Sequence, residues 1–240
     1  MPQHLVLRLA SPLIAFGSEA IDNFGVIQDF PALSMVTGLL ANALGWDRGD
    51  KEAHNQLQER LRMGSRLEKA GSRLTDFQTA QLGAKDKGWT TWGVPEERTG
   101  GLESYNSPHL RYRDYHADLT ALVVLRLEPA DDAPTLADLA HALDRPKRPL
   151  FIGRKPCLPT GRLMDGWIDA DNVLAALTQL PVAPGSDAIS GLRAQWPDGE
   201  GALTNDRVLD VCDERNWRSG VHGGWRPVRE GQIRVQKEMA

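Results

Sequence analysis

The sequence predicts a mixed α+β protein built on a ferredoxin-like sheet with helices on one face. Three observations point there. The early order of patterned segments is strand, helix, two strands, strand, helix. Leu119 to Leu127, LTALVVLRL, is the strongest strand pattern in the chain. The 240 residues suit one large domain, or one domain with a small satellite, with ample length for a core.

The elements follow in order. His4 to Ala10 reads as a first strand, with Leu5, Leu7 and Leu9 on one face, and Ser11-Pro12 ends it. Ser34 to Leu44 is the clearest helix, because Val36, Leu39, Leu40, Ala43 and Leu44 keep the helical period. Ser34 is its expected N-cap and Gly45 its terminator. A more polar helix is expected over Lys51 to Arg62. Ser65 to Ala80 reads as a hairpin turning at Gly71. Gly83 to His109 is polar, Gly-rich and poor in aliphatic residues, as expected of a functional insertion. Leu136 to Leu143 follows as a short helix capped by Thr135. A strand is expected near Leu163 to Ile168 and a helix over Asp171 to Leu180. Pro181 to Gly191 reads as a linker. Short strands are expected at Val208 to Cys212 and Ile233 to Val235.

Composition narrows the function classes. Hydrophobic content of 41% and charged content of 25% are ordinary for a soluble protein. Two cysteines, Cys157 and Cys212, are too few for a disulfide framework or a four-ligand zinc site, and they fit a reducing cytoplasm. No run approaches the ~18 apolar residues of a membrane helix, and MPQHLVLRLASPL does not read as a signal peptide. The histidines are scattered, so no metal and no cofactor is expected. The seven tryptophans outnumber the five phenylalanines and three tyrosines, and they offer flat surfaces for packing, partner contact or base stacking.

Charge is distributed unevenly. Arg145 to Arg162, RPKRPLFIGRKPCLPTGR, holds six basic residues and no acidic one in a chain of net charge −4. Its four prolines and two glycines make it a shaped loop. It is either a solvated surface loop or a polyanion site in which Gly153 admits backbone amides to a phosphate while Arg154 and Lys155 supply charge. A second cluster, Arg111 to His116, alternates so that Arg111, Arg113 and Tyr115 share one face. That face suits phosphate contact plus stacking, or else is a charged edge strand. A metal-free ribonuclease using His116 and Tyr115 is the catalytic alternative. The N-terminus of the Ser34 helix, with Ser34 and Thr37, is either an ordinary capped core helix, the reading favoured by these residues alone, or a further candidate anion site, and close approach of another backbone would explain Gly38. Trp89 and Trp92 lie in the polar insertion, where core is scarce, so they read as contact residues for nucleic acid or a partner.

Five stretches in this order resemble one family: LVLRLASPLIAFG, FPALSMVTGLLANALG, TDFQTAQLGA, LRYRDYHADLTALVVLRL and RPLFIGRKPCLPTG. Together they cover 71 of the 240 residues, about three tenths of the chain. The chain resembles the Cas-five (CasD) subunits of type I-E CRISPR Cascade complexes. The resemblance implies a ferredoxin-like, RRM-type domain over residues 1–180 with a β-hairpin thumb inserted at about 81–109, and a small β-rich region over 181–240. It implies a non-catalytic, cytoplasmic subunit in antiviral defence that caps the 5′ handle of the CRISPR RNA. The thumb would contact the adjoining backbone subunit, the large subunit would dock nearby, and target DNA would be met indirectly. Carried over by motif position, Ser34, Thr37, Gly38, Gln78, Arg111, Arg113, Tyr115, Arg148, Gly153, Arg154 and Lys155 would line the RNA. A related subtype uses the fold as a CRISPR RNA endoribonuclease, and Tyr115, His116 and Lys155 would mimic its set. The sequence departs from the family in a Trp- and Gly-rich insertion and in CLP where CP is frequent.

Overall fold

The computed structural model describes residues 1–21, 23–83, 86–88, 94–97, 108–182 and 191–235. Its first half runs β1 (Gln3–Ala10), β2 (Leu13–Ile14), β3 (Gly17–Ile21), β4 (Phe24–Ile27), α1 (Leu33–Leu44), α2 (Lys51–Arg60), β5 (Leu61–Lys69) and β6 (Ser72–Ala80). The second half runs β7 (His109–Ala117), β8 (Thr120–Leu127), α3 (Leu136–Asp144), β9 (Met164–Asp169), α4 (Val173–Gln179), β10 (Leu192–Pro197), β11 (Arg207–Val211), β12 (Arg215–Asn216), β13 (Val221–His222) and β14 (Arg226–Ile233).

The main sheet has the order β11-β14-β10-β5-β8-β1-β9, and each of its pairings is antiparallel. Alternation divides its side chains between two cores. Leu5, Leu7, Leu9, Ala121, Val123 and Leu125 pack with α1 and α3. Val6, Leu122 and Val124 pack with Val173 and Leu177 of α4 and with Trp196. The expectation of helices on one face is therefore corrected, because α4 covers the opposite face. The reason is visible in β8, which is apolar at both parities, as a strand buried on both sides must be. The C-terminal strands join the same sheet where Ala194 and Gln195 pair with Arg66 and Ser65.

Several local expectations hold. Gly45 adopts a left-handed φ of 85° and ends α1. Thr135 and Asp138 form a capping box at α3. Ser34 is not the N-cap of α1; that position is Ala32, which has no side chain to cap with. Asp213 supplies what is missing. Its carboxylate accepts from Leu33 N at 3.0 Å and its carbonyl from Ser34 N at 2.9 Å. The same carboxylate takes two hydrogen bonds from Arg226, at 2.8 and 2.7 Å.

β5 and β6 are not a hairpin. β5 pairs with β8 and β10, whereas β6 leaves the main sheet and pairs along its whole length with β7. The chain turns out at Gly71 (φ 65°) and returns at Asp118 (φ 57°). A side chain on Gly71 would lie 2.3 Å from the Ala117 carbonyl oxygen, so the two corners are in contact. β6 and β7 thus form an arm in a second sheet, β2-β7-β4-β3, with β6 on the far side of β7. Asp29 ties the two sheets together, accepting from Arg73 of β6 at 2.8 Å and from Arg193 of β10 at 3.1 Å. Burial opposes the Asp29 charge, but the hydrogen bonds from the two arginines outweigh it and hold the carboxyl below its ordinary range. The arm ends at Ala80 and restarts at His109, which frames the insertion anticipated from composition. Trp89 and Trp92 lie outside the described residues.

Candidate nucleic-acid interface

The arm gathers cations on one face. Register places Gln78 opposite Arg111, Asp76 opposite Arg113 and Leu74 opposite Tyr115. β4 runs parallel beside β7, with Gly25 next to Arg113. Because Gly25 has no side chain, two guanidinium groups occupy that space. A Cβ there would lie 2.7 Å from Arg113 Nη1 and 2.8 Å from Arg154 Nη2.

Arg154 reaches this point from the basic loop. It donates to the Asp114 carbonyl at 2.8 Å and the Gly25 carbonyl at 2.7 Å, and its Cζ lies 5.0 Å from the centre of the buried Tyr115 ring. The Arg113 side chain makes no hydrogen bond or ion pair with any described residue. The carboxylate across the strand, Asp76, accepts from Gln78 at 2.6 Å instead. Arg111 is held by Asn23 Oδ1 and by the Leu110 carbonyl. The result is two close guanidiniums with no carboxylate partner among the described residues, an arrangement that favours an added anion.

The loop is anchored rather than open. Ile152 and Cys157 are fully buried, and their backbones bond at 2.8 Å. Burial pushes the Cys157 thiol up. Gly153 sits at φ 88°, and a Cβ on it would fall 1.7 Å from the Ala15 carbonyl oxygen. Glycine is therefore required there by chain-on-chain contact, which replaces the expectation of space for a phosphate. Lys155 is exposed beside Arg154.

The remaining expected residues are dispersed. Thr37 is fully buried, donating to the Leu33 carbonyl, and Ser34 is 6% exposed. The amides at that helix start are taken by Asp213, so the chain's own carboxylate fills the anion position. Arg148 bonds the Trp46 carbonyl and Asp47, and Gly38 and Trp46 line a separate cavity. His116 is buried against Phe16, with Nε2 2.8 Å from the Gln28 carbonyl, on the strand face opposite Tyr115. Tyr115, His116 and Lys155 therefore do not converge on one point. Among the described residues, no group of three His, Cys, Asp or Glu side chains is placed to hold a metal ion.

Sequence reasoning missed Asn23, Phe24 and Gly25, because it assigned nothing to the segment forming β2, β3 and β4. A glycine between Phe24 and Val26 was the available signal, since glycine inside a strand marks close approach of another group. Phe24 and Phe77 are each about half exposed and flank Tyr112, at 5.0 and 5.1 Å between ring centres. The arm therefore carries arginines on one face and an aromatic strip on the other, suited to phosphates and to bases respectively.

The family described as CRISPR-associated protein (Cas_Cas5) matches residues 4–229. The CRISPR system Cascade subunit CasD of Escherichia coli (strain K12) is 29% identical over 177 residues, 74% of this chain and 76% of its own length. A chain of a CRISPR RNA-guided surveillance complex superposes with a TM-score of 0.69 at 23% identity, covering 97% of this chain and 90% of that one. A crystal structure of a Cas protein does so at 0.63 and 23%, covering 99% and 100%.

Proposed function

Starting from a chain that belongs to the Cas5 family of CRISPR-associated proteins, we propose that it is a structural subunit of a Cascade surveillance complex. In this reading it is non-catalytic, of the type I-E kind, and holds the 5′ handle of the CRISPR RNA in antiviral defence. One observation carries the reading: Arg113 and Arg154 meet over Gly25 with no carboxylate partner among the described residues. A single-stranded RNA phosphate supplies the missing charge, and the aromatic strip of Phe24, Tyr112 and Phe77 supplies surfaces for unstacked bases. Lys155, Arg111 and Gln78 extend the contact along the same face.

The core reads as ferredoxin-like and RRM-type. β1, β5, β8 and β9 stand in the order β5-β8-β1-β9, with α1 connecting the first pair and α3 the second. Residues 1–180 hold this core, and 181–240 form the β-rich addition. The insertion at about 81–109 is the thumb, through which Trp89 and Trp92 meet the adjoining backbone subunit. The large subunit docks nearby, and target DNA is met through the assembled complex. No described helix is long and apolar enough to cross a membrane, and the reading places the subunit in the cytoplasm.

The test is isolation of the chain with its partners, followed by sequencing of the retained RNA. The expected result is a protected repeat-derived 5′ segment, and intact repeat RNA after incubation in EDTA. Recovery of a complex free of RNA refutes the reading.

A further inference from the structure

A groove of about 520 Å³ lies between the end of α3 and the two halves of the basic loop. Its floor is aliphatic, made by Leu143, Leu150 and Leu163 with Pro146 and Pro159. Leu143 and Leu163 are buried beneath it, and Leu150 is partly buried. Leu158, next to Pro159 in sequence, is 58% exposed and extends the apolar surface. No aromatic ring is among the described residues that line the groove.

Both walls are fixed before anything binds. On one side the Pro149 carbonyl accepts from Asn42 of α1 at 2.8 Å. On the other, the Thr160 N–H and hydroxyl donate to the Ala10 carbonyl at 2.9 and 3.1 Å, and the Leu163 carbonyl accepts from Arg8 N at 2.8 Å. A ligand entering a groove held in this way orders little of the chain, so little affinity is lost to entropy.

The charge at the rim has one sign left over. Asp144 lines the groove, but Arg162 neutralises it through hydrogen bonds at 2.6 and 2.5 Å. The exposed Arg145 and Lys147 flank Pro146 and pair with no carboxylate among the described residues. Their neighbours differ: Arg148 is held by Asp47, and Arg154 reaches the arm.

We infer that this groove docks an acidic, aliphatic segment of a protein partner, with one leucine-sized side chain on the floor and flanking carboxylates on Arg145 and Lys147. Such a segment answers both the apolar floor and the unbalanced cations. A nucleotide would answer only the charge, because the groove offers its base no ring to stack on. The inference rests on the reading of the chain as a subunit of an assembly, and it adds a protein contact separate from the RNA contact on the arm.

The test uses the complex isolated with the full chain, carrying a benzophenone amino acid at position 158. After irradiation, mass spectrometry identifies the crosslinked species. The chain is compared with its Arg145→Glu, Lys147→Glu and Leu150→Ser variants, and thermal melting verifies that each is folded. The expected crosslink falls on a partner segment in which aliphatic residues stand between Asp or Glu residues. Each charge reversal should lower its yield about tenfold, because it sets like charges against each other. Leu150→Ser should lower the yield as well, and the retained RNA should stay the same in all variants. Replacing the crosslinked segment's acidic residues with Lys should restore the yield in Arg145→Glu. A crosslink to RNA, a crosslink to a segment without acidic residues, or yields unchanged by the charge reversals would each overturn the inference. Retained RNA without any protein crosslink sinks the docking inference and leaves the RNA reading standing. An acidic segment crosslinked in a complex free of RNA does the reverse.

Discussion

Arg113 and Arg154 share one site, yet removing each should have a different effect. Arg154 donates two hydrogen bonds to backbone carbonyls, at 2.8 and 2.7 Å, and lies over Tyr115. Bonds from a charged donor contribute about 1.5–3 kcal/mol each, and partial hydration of both carbonyls after truncation recovers some of that. Arg154→Ala should therefore destabilise the fold by about 2 kcal/mol. The Arg113 side chain bonds to no described residue, and its Nη1 shares the space over Gly25 with the other guanidinium. Two like charges at such a separation repel by about 1 kcal/mol when well screened. Arg113→Ala should leave stability unchanged within about 0.5 kcal/mol, or raise it slightly. Both substitutions should weaken binding of single-stranded repeat RNA and lower the salt slope by about 0.7 per lost phosphate contact. Urea unfolding measures the first effect and fluorescence anisotropy at graded salt the second. Destabilisation of Arg113→Ala by about 2 kcal/mol, together with wild-type RNA affinity and slope, would show that Arg113 is structural and refute the reasoning.

Two further outcomes follow from geometry already described. Gly153→Ala should cost about 2 kcal/mol or more in chemical unfolding, because its Cβ would overlap the Ala15 carbonyl oxygen at 1.7 Å from a φ of 88°. Asp29→Asn should destabilise the protein at neutral pH by on the order of 1 kcal/mol, since it breaks a partly exposed bridge between two sheets. The folded carboxyl titrates below its ordinary value of 3.8. Its contribution is thus complete above that value and fades as pH falls through the lower folded one. The unfolding curves of wild type and the Asp29→Asn variant should therefore converge in acid, and an undiminished gap there would rule the bridge out.

What could be read from the sequence depended on whether a signal was local. The α1 period, the Gly45 stop, the Thr135 cap and the β8 run all rest on neighbouring residues, and all appear where expected. The N-cap of α1 does not, because its acceptor is Asp213, 180 positions away in sequence from Leu33. The strands flanking Gly71 looked like a hairpin since alternation identifies strands but not their partners, and here the partners are β8 and β7. The expectation of helices on one face fails at α4 for a related reason: the double-sided apolar pattern of β8 announces a second cover without saying which helix provides it. At the interface, Arg111, Arg113 and Tyr115 were legible as one face from alternation alone. Their union with Arg154 over Gly25 was not, because it needs β4, a four-residue strand too short to show a period of its own.

The touching corners at Gly71 and Asp118 have an evolutionary consequence. They clamp the two roots of the arm together, so the closure entropy of whatever lies beyond is met at its base and rises only slowly with length. The distal segment can be extended, trimmed or exchanged among descendants while β5 and β8 keep their places. Length and sequence at the tip can thus diversify quickly in a lineage while the main sheet stays unchanged.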